Sequence, residues 1–183
     1  LAVTVSDAYN RRETVNIPLT LYRPPGDGPF PLAVLAHGRS SERRSALLRE
    51  RFEWLSRYLV AKGFAVAVPT RAGYGESAGL FDPEESGNCN SKGYEAMADV
   101  AADQLLAVVA HARTLAWVDA SRWIVVGQSL GGTAAMATAA RAPQGLVAAI
   151  NFSGGAGGHP VTRVANPCSP HLLERLWRTQ AAT

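Results

Sequence analysis

The run Trp123-Ile124-Val125-Val126-Gly127-Gln128-Ser129-Leu130-Gly131-Gly132 constrains this chain more than any other stretch. Apolar residues stop at a glycine, a serine follows, and two further glycines open an alanine-rich segment. The spacing Gly127-x-Ser129-x-Gly131 predicts a buried strand, a very sharp turn and a helix. In such a turn the serine adopts strained backbone angles, and glycines two before and two after it keep side chains from colliding. The serine then stands at a helix N-terminus, where unpaired N–H groups and the helix dipole favour negative charge. That is how a nucleophile is mounted, and a serine nucleophile needs a base beside it.

The rest of the chain supplies the frame for that turn. Val3 and Val5 predict a short strand. Val15, Ile17, Leu19 and Leu21 alternate with polar residues and predict a second strand. Continuous apolar runs ending near His37, at Pro69, at Gly127 and near Gly154 predict strands buried on both faces. Between them, residues 41–62 predict a helix with Leu48, Phe52, Leu55 and Leu59 on one face. A long helix follows, carried by Met97, Val100, Ala101, Leu105, Val108, Val109 and Ala112, then one over 130–142 and a short one over 171–178. Strands alternating with helices predict one α/β domain over residues 1–183. Its mostly parallel sheet is flanked by helices, and the pattern stops after the sixth strand.

Composition excludes several functions. The net charge is +3 and the arginines are scattered without an aromatic-studded basic stripe, which argues against nucleic-acid binding. No apolar run approaches the roughly 20 residues that span a bilayer. Nothing points to a metal or an organic cofactor. Cys89 and Cys168 lack metal-ligand spacing and lie in loop-like sequence. They are either two unrelated thiols or one disulfide. A disulfide implies an extracytoplasmic, oxidising compartment, and its absence a cytoplasmic one.

Three ordered motifs, each at the end of a predicted strand, resemble the α/β-hydrolase superfamily, and within it dienelactone-hydrolase-like and carboxylesterase-like proteins. They are Leu35-Ala36-His37-Gly38-Arg39-Ser40, Arg71-Ala72-Gly73-Tyr74-Gly75-Glu76-Ser77, and the Ser129 turn. The resemblance implies that Ser129 is the nucleophile and that the backbone N–H groups of Arg39 and Leu130 form the oxyanion hole. It also implies that His37 holds a loop and is not the base. Ala72 departs from the superfamily's Arg-Gly-x-Gly pattern. Superfamily members also carry an acid and then a histidine on later strands, which these residues do not supply.

Four histidines are present. His111 falls on a helix and His171 near another. His159, in the loop leaving the strand beside the Ser129 turn, reads either as a plain loop histidine before Pro160 or as a candidate base, although no acid in that loop would orient it. Asp82, Glu84 and Glu85 are remote candidates for that acid. The function expected is serine hydrolysis of small carboxylic esters or lactones, with the 183 residues a piece of a longer protein. The alternative is a catalytically incomplete module that dimerises through the apolar edge of its sixth strand.

Overall fold

The computed structural model describes residues 1–39, 43–79, 81–155, 161 and 167–181; the candidate base His159 lies outside them. Its strands are β1 (Ala2–Ser6), β2 (Arg12–Asn16), β3 (Leu19–Tyr22), β4 (Phe30–Ala36), β5 (Ala65–Pro69), β6 (Val118–Gln128) and β7 (Leu146–Phe152). Its helices are α1 (Glu53–Ala61), α2 (Tyr94–Ala112), α3 (Leu130–Ala140) and α4 (Pro170–Ala181). β1 and β2 form an antiparallel hairpin, and the others form one sheet in the order β3-β5-β4-β6-β7. Only β3 runs antiparallel to its neighbour in that sheet.

Period-two alternation puts the central strands between two apolar layers. Leu32, Val34, Ala36, Ala65, Ala67, Trp123 and Val125 face Leu105, Val108, Val109, Ala134 and Ala135 of α2 and α3. Ala33, Leu35, Val66, Val68 and Val126 face Leu59, with Phe52 and Leu55 packed at the margin, under α1. Burying each such Leu or Val side chain contributes about 1.5–3 kcal/mol. The residues expected to carry the long helix are all buried along α2.

Two local expectations change. The alternating run over residues 15–21 is split between two sheets: Val15 pairs with Val3, whereas Leu19 pairs with Pro69. Pro18 has no N–H for either ladder, and its carbonyl accepts the Thr70 N–H at 2.9 Å. The helix expected over 41–62 forms only from Glu53. Residues 43–52 instead pack across the strand ends, held by Arg44 to the Gly73 carbonyl (2.8 Å), Arg49 to the Leu19 carbonyl (2.7 Å) and the Glu50 N–H to Thr70 Oγ1 (2.8 Å). Leu48 is 84% exposed and leaves the apolar face assigned to it.

From β4 the chain crosses through α1 to β5 on one side, then through α2 on the opposite face to β6 on the other side. The direction of winding reverses between β4 and β6, so a crevice opens beyond their carboxyl ends. His37-Gly38-Arg39 leaves β4 there, and Ser129 leaves β6 there.

A disulfide joins Cys89 to Cys168, with their Cα atoms 4.6 Å apart. It ties the loop before α2 to the start of α4. Leu172, Leu173 and Leu176 of α4 pack on Tyr94, Met97 and Leu130. Among the described residues, no helix is long and apolar enough to cross a membrane.

Candidate active site

Ser129 has φ 53° and ψ −124°, a conformation that L-residues rarely adopt. Its N–H donates to the Phe152 carbonyl at 2.9 Å, and its carbonyl accepts the Thr133 N–H at 3.1 Å, so strand β7 and helix α3 hold both sides of the bend. The flanking glycines are required by space. A Cβ on Gly127 would strike the Gly131 carbonyl, one on Gly131 would strike the Ala36 and His37 carbonyls, and one on Gly132 would strike Oδ1 of Asn151. Strand β6 and helix α3 can meet at this angle only without those side chains.

The bend leaves Ser129 half-buried in an open cleft of about 320 Å³. His37, Gly38, Arg39 and Tyr74 line one side of the cleft, and Leu47, Glu50, Phe52 and Gln128 complete it. Gly38, in the loop after β4, lies close to Ser129: a Cβ there would meet the Ser129 Cβ at 3.2 Å and Oγ at 3.6 Å. Leu130 is the first residue of α3, so its N–H has no intrahelical acceptor. A second hollow of about 300 Å³, lined mainly by Leu35, Leu55, Val126 and Phe152, adjoins the cleft at Phe52 and Gln128.

Beneath the cleft lies a buried polar cluster. Nε2 of His37 accepts the Arg71 backbone N–H at 3.0 Å, and Nδ1 lies 2.7 Å from the Gly38 carbonyl. An N–H facing Nε2 needs the lone pair there, so the ring proton sits on Nδ1 and is donated to Gly38. Burial first, and then the Arg71 charge, hold the imidazole well below its usual pKa, against the opposing pull of the Gly38 carbonyl. With its Nε2 lone pair occupied and no reason to charge, His37 is not placed to take a proton from Ser129.

The guanidinium of Arg71 donates to the His37 carbonyl at 2.6 Å and to Oε1 of Glu84 at 2.5 Å. Tyr74 donates its hydroxyl to Oε2 of Glu84 at 2.6 Å. Burial, and next the Glu84 charge, push the Tyr74 phenol upward. Burial opposes the charge on Arg71, but Glu84 outweighs it and the guanidinium stays ionised. Ala72, the departure from the superfamily pattern, is fully buried, and its N–H donates to Oε1 of Gln104 at 2.7 Å.

The Arg39 side chain reaches the loop after β5. Its two terminal nitrogens donate to Asp82 at 3.0 and 2.8 Å, and Glu84 and Glu85 lie at 3.8 and 3.7 Å. Burial alone would lower the guanidinium pKa, but Asp82 first, and then Tyr74 and Glu84, raise it above its already high value. Of the acids weighed as remote partners for a histidine, Asp82 and Glu84 are thus paired with arginines, and Oε1 of Glu85 accepts the Ser86 and Gly87 N–H groups at 2.9 and 2.8 Å.

Of the remaining histidines, His111 sits in the last turn of α2, at the end of the sheet opposite Ser129, and His171 is exposed in the first turn of α4. Sequence reading did not anticipate Leu47, Glu50 and Phe52 in the cleft, because their segment carried a helical pattern. It also did not anticipate the Arg39–Asp82 pairing. A run of acids at 82–85 following an arginine-rich stretch at 39–44 was the available signal.

Comparison with known proteins agrees with this geometry. The quorum-quenching protein AidA of Acinetobacter baumannii (strain MDR-ZJ06) is 33% identical over 122 residues, which are 66% of this chain and 34% of that protein. A protein of Klebsiella pneumoniae subsp. pneumoniae MGH 78578 assigned as a dienelactone hydrolase superposes with a TM-score of 0.57. It is 19% identical, over 100% of this chain and 80% of that one. The 2,6-dihydroxy-pseudo-oxynicotine hydrolase superposes with a TM-score of 0.56 at 21% identity, over 86% of this chain and 37% of that one. The superpositions establish a shared fold, and the chain spans little more than a third of AidA and of the oxynicotine hydrolase. Residues 32–181, from within β4 through α4, match the family described as serine aminopeptidase, S33. With that match added to the strand order and the Ser129 bend, the chain belongs to the serine aminopeptidase S33 family of α/β hydrolases.

Proposed function

We propose that this chain is a serine hydrolase of carboxylic esters or lactones, with Ser129 as the attacking group. The observation that carries the reading is the strained Ser129 backbone at the winding reversal, open to a cleft and facing Gly38. Ser129 Oγ attacks the acyl carbonyl carbon, and the carbonyl oxygen becomes negative. The N–H groups of Arg39 and Leu130 receive that charge without reorganising. Collapse of the adduct expels the alcohol and leaves an acyl-serine, which water then cleaves to the acid.

The base for Ser129 comes from outside the described residues, and His159 is the one histidine of the sequence found there. The requirement is large, since loss of the histidine in a serine hydrolase lowers kcat by up to about a millionfold. The Cys89–Cys168 disulfide supports an oxidising compartment.

The test is covalent labelling with a fluorophosphonate, read by intact mass, beside hydrolysis of short p-nitrophenyl esters, lactones and aminoacyl amides. We expect one adduct on Ser129, none on Ser129→Ala, and turnover of esters or lactones above amides. If His159 is the base, His159→Ala abolishes labelling and His111→Ala leaves it intact; if His159 is a plain loop histidine, neither substitution changes labelling. An adduct on Ser129→Ala at the wild-type level would sink the assignment.

One observation favours a second reading, an assembly module. β7 ends the sheet among the described residues, with Val147 66% and Phe152 55% exposed and no charge along Leu146–Phe152. An uncharged edge strand pairs readily with another chain. On this reading light scattering gives a dimer that Val147→Lys dissolves, with no fluorophosphonate adduct.

A further inference from the structure

We infer that Asp82 is a positioning residue for the oxyanion hole, acting through the side chain of Arg39; the inference rests on the hydrolase reading above. The argument starts with the Gly38–Arg39 peptide. In a planar trans unit the C=O of one residue and the N–H of the next point in opposite directions. The Gly38 carbonyl is drawn inward by Nδ1 of His37 at 2.7 Å and, more weakly, by Nη2 of Arg71 at 3.4 Å. The Arg39 N–H is therefore turned away from the buried cluster. One anchored oxygen still allows the peptide plane to rock about it.

The second anchor is the Arg39 side chain. Both of its terminal nitrogens meet Asp82, at 3.0 and 2.8 Å. A two-pronged guanidinium–carboxylate contact fixes direction as well as distance. Asp82 is itself held: its Oδ1 accepts the Glu84 N–H at 3.2 Å, and its Oδ2 lies 3.3 Å from Nε of Arg44. Arg44 in turn donates to the Gly73 carbonyl at 2.8 Å. The carboxylate thus joins the loops after β4 and β5 on one flank of the cleft. With both ends of the Arg39 unit tied, its N–H keeps one angle toward the oxyanion of the acyl adduct on Ser129.

Asp82→Asn keeps the shape and removes the charge and the symmetric fork. We expect kcat on an activated ester to fall roughly 10- to 100-fold, less than the 10²–10³ that deleting an oxyanion donor costs. KM should stay within about twofold, because a donor that acts on developing charge contributes to the transition state. Binding of phenylboronic acid, which forms a tetrahedral adduct on the serine, should weaken by the same factor as kcat/KM. A purely structural role would lower the melting temperature without this kcat-against-KM split. Arg39→Lys, which removes the fork from the other side, supplies the same readout if Asp82→Asn does not fold. A folded variant with kcat within twofold of wild type, or one whose loss lies wholly in KM, overturns the inference. Ser129→Ala run in parallel separates the two readings. Hydrolysis surviving in it overturns the hydrolase assignment, whereas its loss beside an unaffected Asp82→Asn overturns only the positioning role.

Discussion

Arg71 donates its backbone N–H to Nε2 of His37 at 3.0 Å, and its guanidinium to the His37 carbonyl at 2.6 Å. One arginine therefore holds both the ring and the backbone of the residue that opens the loop after β4. Because the ring accepts at Nε2, it is neutral, and its remaining proton is spent on Gly38. The most obvious histidine beside Ser129 is a strut.

The charge state of His37 gives the first prediction. Its pKa in the folded protein lies below that of the unfolded chain, through burial and the Arg71 charge. The unfolded state therefore binds the extra proton first. Stability from this site is complete above about pH 6.5 and declines as pH falls from there through the lower folded value. Imidazole nitrogen shifts should show the neutral, Nδ1–H pattern at pH 6.5, where a free histidine is about half-protonated. An acid limb in the rate between about pH 6 and 7 must then come from another group, since an unperturbed histidine titrates near 6.5.

The elbow gives the second. Gly131→Ala drives a methyl group into the Ala36 carbonyl, at the end of β4, and the His37 carbonyl, which Arg71 holds at 2.6 Å, so neither can step aside. A loss of about 3 kcal/mol or more is expected in urea unfolding, at the upper end of overpacking costs, together with loss of fluorophosphonate labelling. Gly79→Ala is the control, since a Cβ there meets nothing within 4 Å. It should be silent in both measurements.

The buried ion pair gives the third. Arg71 and Glu84 are fully buried, and their contact is 2.5 Å. Glu84→Gln retains the shape but leaves the Arg71 charge without its partner. Breaking one side of such a pair costs about 3–5 kcal/mol. The loss should appear as a lower urea midpoint, and replacing Arg71 and Glu84 together should recover part of it.

The disulfide gives the fourth. Cys89 and Cys168 are separated by 79 residues in sequence, for which the chain-entropy relation gives about 4.5 kcal/mol as an upper figure. Ser169 reinforces the junction by donating Oγ to the Cys89 carbonyl at 2.8 Å. Thiol titration in denaturant should find no free thiol before reduction and two after it. Reduction should lower the unfolding midpoint, and Cys89→Ser with Cys168→Ser should match the reduced protein.

Much of the frame was legible before any coordinates. The apolar runs around Val34, Val66 and Val125 could only be strands covered on both faces, and the spacing of Met97, Leu105, Val108 and Ala112 could only be one face of a helix. The bend at Ser129 was legible because only glycine fits at 127 and 131, a local steric demand that composition records directly. The segment 43–52 misled because its apolar spacing at Leu48, Phe52 and Leu55 matches a helix. Its polar groups found better partners at the strand ends, where Arg44 and Glu50 tie down the loop after β5 and Arg49 holds the start of β3.

What sequence alone determined, then, was the alternation of elements and the sharp turn that presents Ser129, since both follow from forces acting within a few residues. Partner choice among charged groups was decided only by the tertiary structure. Arg39 could have met any of several acids, and His37 could have been base or strut. Residues 34 positions apart, such as His37 and Arg71, come together only when β4 and β5 pair. Buried charge and hydrogen-bond geometry then leave each group a single satisfied arrangement.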